Sequence, residues 1–329
     1  MKWMIDFEMN SQEEKIHHTN SIVLSGSCFT EHIGEQLKNF HFNVLQNPNG
    51  ILFDPASIAS SIDSYIRNQT YVEKDLFLHN ELWHSWSHHS RYSGMHQSEV
   101  LQMINKSQQG AHLFLKKADW LIITLGSSYQ YQLIEHGRGV ANCHRVPGNQ
   151  FRKHLMTIEE INSALDNVIH RLFAFNKGIR IVFTVSPVRH LRDGVVENNR
   201  SKARLIEVAH HLTNKFDRIY YFPAYELVND VLRDYRFFEA DMAHPNSQAS
   251  NFVFDHFIKN FVHESWFPLI DELRKLRSSY HHKAFQPATS AYKEFMQANR
   301  QKIEKLQEQY SHIDLKQEWL FFTRNLEEG

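Results

Sequence analysis

Cysteine is nearly absent: Cys28 and Cys143 are the only two in 329 residues, which excludes a disulfide-stapled scaffold and points to a reducing compartment. A charge excess is missing too. Lys and Arg number 36 against 37 Asp and Glu, a formal net charge of -1, so nothing invites nucleic acid or an anionic membrane as partner. No stretch approaches the ~20 apolar residues that span a bilayer. The opening MKWMIDFEMNSQEEK has neither the apolar run nor the small-residue cleavage site of a secretion signal. The expectation is a cytoplasmic protein. Histidine, by contrast, is abundant, with 23 residues. The pairs at 17/18, 88/89, 210/211 and 281/282 are scattered and lack Cys or carboxylate partners at ligand spacing, so no metal or other cofactor is expected.

The chain exceeds the common single-domain size, which suggests one large α/β domain plus an extension. At 42% hydrophobic and 22% charged residues it is too apolar to remain disordered. Residues 21–24 form a short β-branched run that ends at the small residues Ser25, Gly26 and Ser27. Residues 30–40 follow with Ile33, Leu37 and Phe40 at helical spacing. Residues 42–45 repeat the form, with an Asn-, Pro- and Gly-rich turn at 47–50 before Pro55 opens a helix. The runs 120–125 (WLIITL) and 179–185 (IRIVFTV) read as strands buried on both faces. A helix over 158–173, another over 201–215, a strand over 218–222 and a helix from about 225 complete the alternation. Five such strands imply a parallel, doubly wound sheet with right-handed crossovers. Residues 74–94 and 130–151 break the pattern and are expected to run over the active edge. Beyond 262 the sequence is helical and charged, with a long helix over 291–309.

In such a sheet, functional groups gather at the C-terminal ends of the strands. Ser27 follows the first strand, Gly50 the second, Gly126 the third and Ser186 the fourth, while Asp241 and His244 follow the fifth. A serine hydroxyl needs a base to become a nucleophile, and a helix starting just beyond Ser27 adds positive potential and free amides for an oxyanion. The spacing Asp241-x-x-His244 lets the carboxylate fix one imidazole nitrogen while the other faces Ser27. Cys28 is a rival nucleophile; Ser27 is preferred because the neighbour of a turn nucleophile usually points into the core, where cysteine packs well.

The stretch LSGSCFTEHIG resembles the signature for which the GSCFA family is named, a branch of the SGNH (GDSL-like) hydrolases. NPNGILFDPASI, ELWHSWSHHS, TLGSSYQY, VANCHRVP, VSPVRH and NNRSKA are similar to that family as well, and DMAHPN resembles the terminal SGNH Asp-x-x-His block. The resemblance spans roughly residues 20–260. It implies a three-layer αβα, flavodoxin-like fold, with a hydrolase domain over 1–262, insertions at about 68–115 and 127–157, and a C-terminal helical extension over 263–329. It implies a Ser27, His244 and Asp241 triad and backbone amides of Ser27 and Gly50 as oxyanion donors. Esters of carbohydrates are a common substrate class among SGNH relatives. One departure stands out: the usual Gly-x-Asn-Asp turn after the third strand reads Gly126-Ser127-Ser128-Tyr129, so Asn142 or Ser127 is the candidate third donor.

Trp83, His84, His88 and His89 are candidates for a sugar-binding wall or else a packed aromatic cluster. Gly126, His144, Arg189 and His190 are further substrate-contact candidates, with a structural ion pair the alternative for Arg189. Lys202, in a first helical turn, reads as solvent-exposed. The C-terminal helices read as a packing surface or a surface for homo-oligomerisation. The expected function is hydrolysis of a small acyl ester, such as an O-acetyl group on a carbohydrate. A non-catalytic binding protein and an acyltransferase are the alternatives.

Overall fold

Apolar runs that end at small residues set the frame of this protein, seen in a computed structural model that describes residues 5–9, 12–282, 285–286 and 288–327. The other residues, which include parts of the opening segment and of the expected C-terminal extension, lie outside the described ones. The strands are β1 (Ser21–Gly26), β2 (Asn43–Gln46), β3 (Leu76–His79), β4 (Leu82–Ser85), β5 (Trp120–Leu125), β6 (Tyr129–Leu133), β7 (Gly139–Val140), β8 (Phe151–Leu155), β9 (Arg180–Val185) and β10 (Ile219–Phe222). Five of them form a parallel sheet in the order β10-β9-β5-β1-β2. β5 is buried along its whole length, as expected of a central strand covered on both faces. The chain reverses its direction of travel between β1 and β5, so the crevice of the sheet opens between their C-terminal ends.

Helices α1 (Cys28–Asn39), α2 (Pro55–Ile66), α3 (Gln97–Leu115), α4 (Ile158–Phe175) and α5 (Val195–Lys215) come next, followed by the short turn α6 (Ala224–Glu226), which widens into a π-helix over Leu227–Leu232. α7 (Ser247–Phe261), α8 (Phe267–Tyr280), α9 (Ser290–Gln309) and α10 (Lys316–Glu327) end the described chain. One core layer joins the sheet to α2, α3, α4 and α5 through Ile62, Leu115, Leu165 and Leu205. The other joins it to α1 and α7 and continues without a break into Leu273, Met296, Ile303 and Phe322 of the last three helices. These helices therefore pack their apolar faces into the main core. His18 Nδ1 to His312 Nε2 (2.9 Å) and His41 to Glu318 (3.2 Å) cross the same seam.

The two segments outside the alternation fold as small sheets. β3 and β4 form an antiparallel hairpin, and β6 lies between β7 and β8. The ring of Phe77 stacks on Trp86 at 3.6 Å and links the two through the cluster around Phe151.

β1 reaches its crossover through Gly26, which has φ +145° and whose absent Cβ would lie 2.2 Å from the Thr124 carbonyl oxygen. Backbone on the facing strand cannot yield as a side chain can. Gly26→Ala is therefore expected to destabilise the protein by more than about 4 kcal/mol. A thermal midpoint within a few degrees of wild type would refute this.

Candidate active site

Ser27 sits where β1 gives way to α1, at the N-cap position with extended φ and ψ of -69° and 177°. A serine there normally turns its hydroxyl back to cap the helix. Ser27 does not: it makes no side-chain cap bond, and its Oγ is buried with no hydrogen-bond partner. Burial pushes the neighbouring Cys28 thiol up, which disfavours the thiolate a cysteine nucleophile needs.

The Asp241–His244 loop builds itself locally. Met242 takes a left-handed φ of 57°. That turn lets Asp241 Oδ1 accept from the N–H groups of Ala243 (2.9 Å) and His244 (3.0 Å), while Oδ2 lies 2.6 Å from His244 Nδ1. Those donors, the His244 amide foremost, hold the Asp241 carboxyl down at about 2. An ionised carboxylate can only accept, so Nδ1 carries the proton and Nε2 of the neutral ring presents a lone pair. Asn246 then caps α7 through the Ala249 N–H.

Ser27 and His244 share one edge of the sheet. The loop after β9 ties to the Asp241–His244 loop through Arg189 N–H to Ala243 O at 3.1 Å. The Arg189 guanidinium lies over the ring of Phe238, 4.2 Å from its centroid, and also faces Tyr235. Its Nη2 donates to Asn229 Oδ1 at 3.4 Å, and no ion pair to it is found among the described residues, so Arg189 holds the base-bearing loop. On the other side, Gly126 presses on the serine: a Cβ there would come within 3.1 Å of Ser27 Cβ. No hydrogen bond joins Ser27 Oγ to His244 in this structure.

A cleft of about 340 Å³ opens beside this corner, lined among others by Phe53, Ser127, Tyr129, Tyr131, Asn142 and His190. Lys153 stands over the Tyr129 ring at 4.2 Å and pairs with Asp193, and both also line the cleft. His190 packs edge-on to Phe53, and its backbone N–H donates to Asn198 Oδ1. Burial, with the Lys202 charge second, lowers its pKa to about 4, so its ring is neutral. Asn142 uses its carbonyl oxygen to accept the His144 N–H, which leaves the amide N–H groups as the donors it can offer the cleft.

Several expected roles need correction. The Ser27 N–H already donates to Thr124 O (3.1 Å) and the Gly50 N–H to Asn47 O (2.7 Å). As oxyanion donors both would have to give up those bonds. The Ser127 N–H is likewise donated, to Phe53 O, and its Oγ meets Ser201 and the Tyr129 N–H. His84 has both ring nitrogens bonded, to Ser93 Oγ and His79 O. His88 is bonded to Ser85 Oγ, and His144 Nε2 to Ser85 O. All three are buried, which withholds their rings from a substrate; His144 joins the two excursions through its bond to Ser85 O and its ring contact with His84 at 4.5 Å, while His84 and His88 bond within their own excursion. Trp83 packs with Tyr71, Tyr92 and Val100, and His89 Cβ covers Gly50; neither lines the cleft.

The solvent exposure expected of Lys202 is overturned. The residue is 1% exposed, its Nζ donating to Gly126 O at 2.6 Å and Ser186 O at 2.7 Å. Sequence reasoning missed Asp54, buried at the cleft wall while capping α2; burial pushes its carboxyl up. Among the described residues no group of three or more His, Cys, Asp or Glu is placed to hold a metal, and no helix is long and apolar enough to cross a membrane.

The sequence model of the GSCFA family matches residues 21–257, and that of the GSCFA domain protein, C-terminal domain, matches residues 273–328. No curated protein matches the chain in sequence. Among solved structures, it is similar to a Clostridium thermocellum family 3 carbohydrate esterase, with a TM-score of 0.36 at 12% identity over 78% of this chain and 98% of that one. A carbohydrate esterase family 3 structure from Talaromyces cellulolyticus gives 0.34 at 11% identity, over 77% and 99%. An acetyl xylan esterase from the rumen bacterium Butyrivibrio proteoclasticus gives 0.36 at 11%, over 81% and 66%.

Proposed function

The chain belongs to the GSCFA family, and from that premise we propose that it is a serine hydrolase of small acyl esters. The observation that carries this reading is the pairing at one sheet edge of two prepared groups. One is a helix-capping serine whose hydroxyl declines to cap; the other is an imidazole whose Nδ1 is fixed by Asp241 at 2.6 Å. As substrate binds, His244 Nε2 accepts the Ser27 hydroxyl proton while Oγ bonds to the acyl carbon. The proton then passes to the leaving alcohol oxygen as the ester C–O bond breaks. Water, activated by the same imidazole, hydrolyses the acyl-enzyme. Contacts of this kind are often open before substrate arrives. The oxyanion falls to the corner where α1 begins. There the Cys28 and Phe29 amides have no acceptor within the helix and face the Cys28 sulfur, so they would turn to the oxyanion, with Asn142 offering its carboxamide from the cleft.

The cleft suits a polyol ester. Tyr129, Tyr131 and Phe53 give ring faces, while Asn142, Lys153 and Asp193 give polar groups. An O-acetylated sugar therefore fits better than a long acyl chain. The sealed Ser27 hydroxyl favours one second reading, a binding protein that keeps the pocket without turnover. Reaction with a fluorophosphonate probe separates the two. Wild type is expected to be labelled on the peptide carrying Ser27, and Ser27→Ala to be silent; equal labelling of both removes Ser27 from the chemistry.

A further inference from the structure

Lys202 is a fully buried amine that the chemistry above does not use. Taking an ammonium out of water costs several kcal/mol even when it is well bonded, so its presence calls for a reason other than stability. Its two acceptors identify that reason. Gly126 and Ser186 are the first residues beyond the neighbouring strands β5 and β9. The last bond between those strand ends is Ser186 N–H to Leu125 O; past it, one chain turns toward the cleft and the other toward Pro187.

Lys202 Nζ bridges the gap just where the ladder stops. Gly126 leaves no room for a side chain beside Ser27, since a Cβ on it would lie 3.1 Å from Ser27 Cβ. Ser186 leads to Arg189, whose N–H holds Ala243 between Asp241 and His244. One ammonium therefore connects both halves of the site through two bonds. We infer that Lys202 is a positioning residue that sets the spacing between the Ser27 corner and the His244 loop. This rests on the ester-hydrolase reading.

The groups facing the amine are Cys28 at the start of α1, His190 after β9 and the Tyr225 ring at 6.0 Å. Burial lowers the Lys202 pKa to about 7, with Cys28 acting in the opposite sense. Charged or neutral, the amine keeps N–H donors for both carbonyls, so the bridge survives loss of the proton.

The test compares wild type, Lys202→Met and Lys202→Gln on a short aryl acetate, with folded sites counted by fluorophosphonate titration. Lys202→Met is expected to lower kcat per titrated site by about 100-fold or more, the scale of a 1 Å misplacement. KM should stay within about threefold, since substrate groups are untouched. Lys202→Gln should recover at least about tenfold of the loss, because its carboxamide still has two N–H groups to donate. A Lys202→Met protein that melts cooperatively and turns over within about twofold of wild type per site overturns the inference. So does failure of both variants to fold, which would assign Lys202 to stability alone. If wild type neither labels nor hydrolyses, the hydrolase reading falls and takes this one with it; an active wild type with an indifferent Lys202→Met loses only this one.

Discussion

Ser27→Ala is expected to cut turnover of a short aryl ester by about 10⁴-fold or more, while its thermal midpoint stays at or above that of wild type. The two effects have one cause. The Ser27 hydroxyl is buried and unbonded, so the folded state carries the desolvation cost of a polar group without a partner, about 1–3 kcal/mol. Alanine removes that cost together with the nucleophile. His244→Ala should lose as much activity, and the Ser27→Ala/His244→Ala double variant hardly more, since residues acting as a unit are not additive. Asp241→Asn tests the third member. Its carbonyl oxygen can still accept the Ala243 and His244 amides, but its NH2 would face the imidazole and favour the wrong tautomer. A loss of about 10³–10⁴-fold with the loop intact is expected. Hydrolysis that survives Ser27→Ala within a factor of ten would end the proposed mechanism.

The second large effect is on stability in mild acid. His18 and His144 are held at about 4 and His88 at about 3, in each case chiefly by burial. The ordinary value is 6.5. As pH falls below 6.5 the unfolded chain takes up protons that the folded chain refuses, so stability drops continuously until the folded-state values are reached. At pH 5 this amounts to about 2 kcal/mol for each of the three. The thermal midpoint should fall by at least about 10 °C between pH 7.5 and 5. A shift under about 3 °C would mean these rings protonate without cost. Because His144 ties the β3–β4 hairpin to the loop after β7 through Ser85 O, any hydrolysis at the proposed site should fade along the same curve.

The sheet was legible because its strands are short apolar runs closed by small residues, and burial on both faces leaves little else for such runs to be. The Asp241–His244 pair was legible because it is local, three residues apart with the turn between them. Lys202 was not. Its acceptors lie 76 and 16 residues away, and a lysine inside α5, which begins at Val195 rather than near Ser201, carries no mark of them. The histidines at 84, 88 and 144 misled for the opposite reason: imidazoles beside tryptophans suit a sugar wall and an interlocked core equally well. What decided between these was backbone carbonyls and hydroxyls that no pattern reveals. The amides of Ser27 and Gly50 were similarly misjudged, since each closes a bond of the crossover or turn in which it lies.

The shared core of α1, α7 and the last three helices orders events during synthesis. α1 leaves the ribosome early, yet part of the layer that shields its side of the sheet comes from Leu269 to Phe322. For most of translation that greasy face is bare, the condition under which nascent chains stick to one another or call on chaperones. A stop codon placed after α7 would make this exposure permanent, so the two segments matched by separate family models mature as one unit.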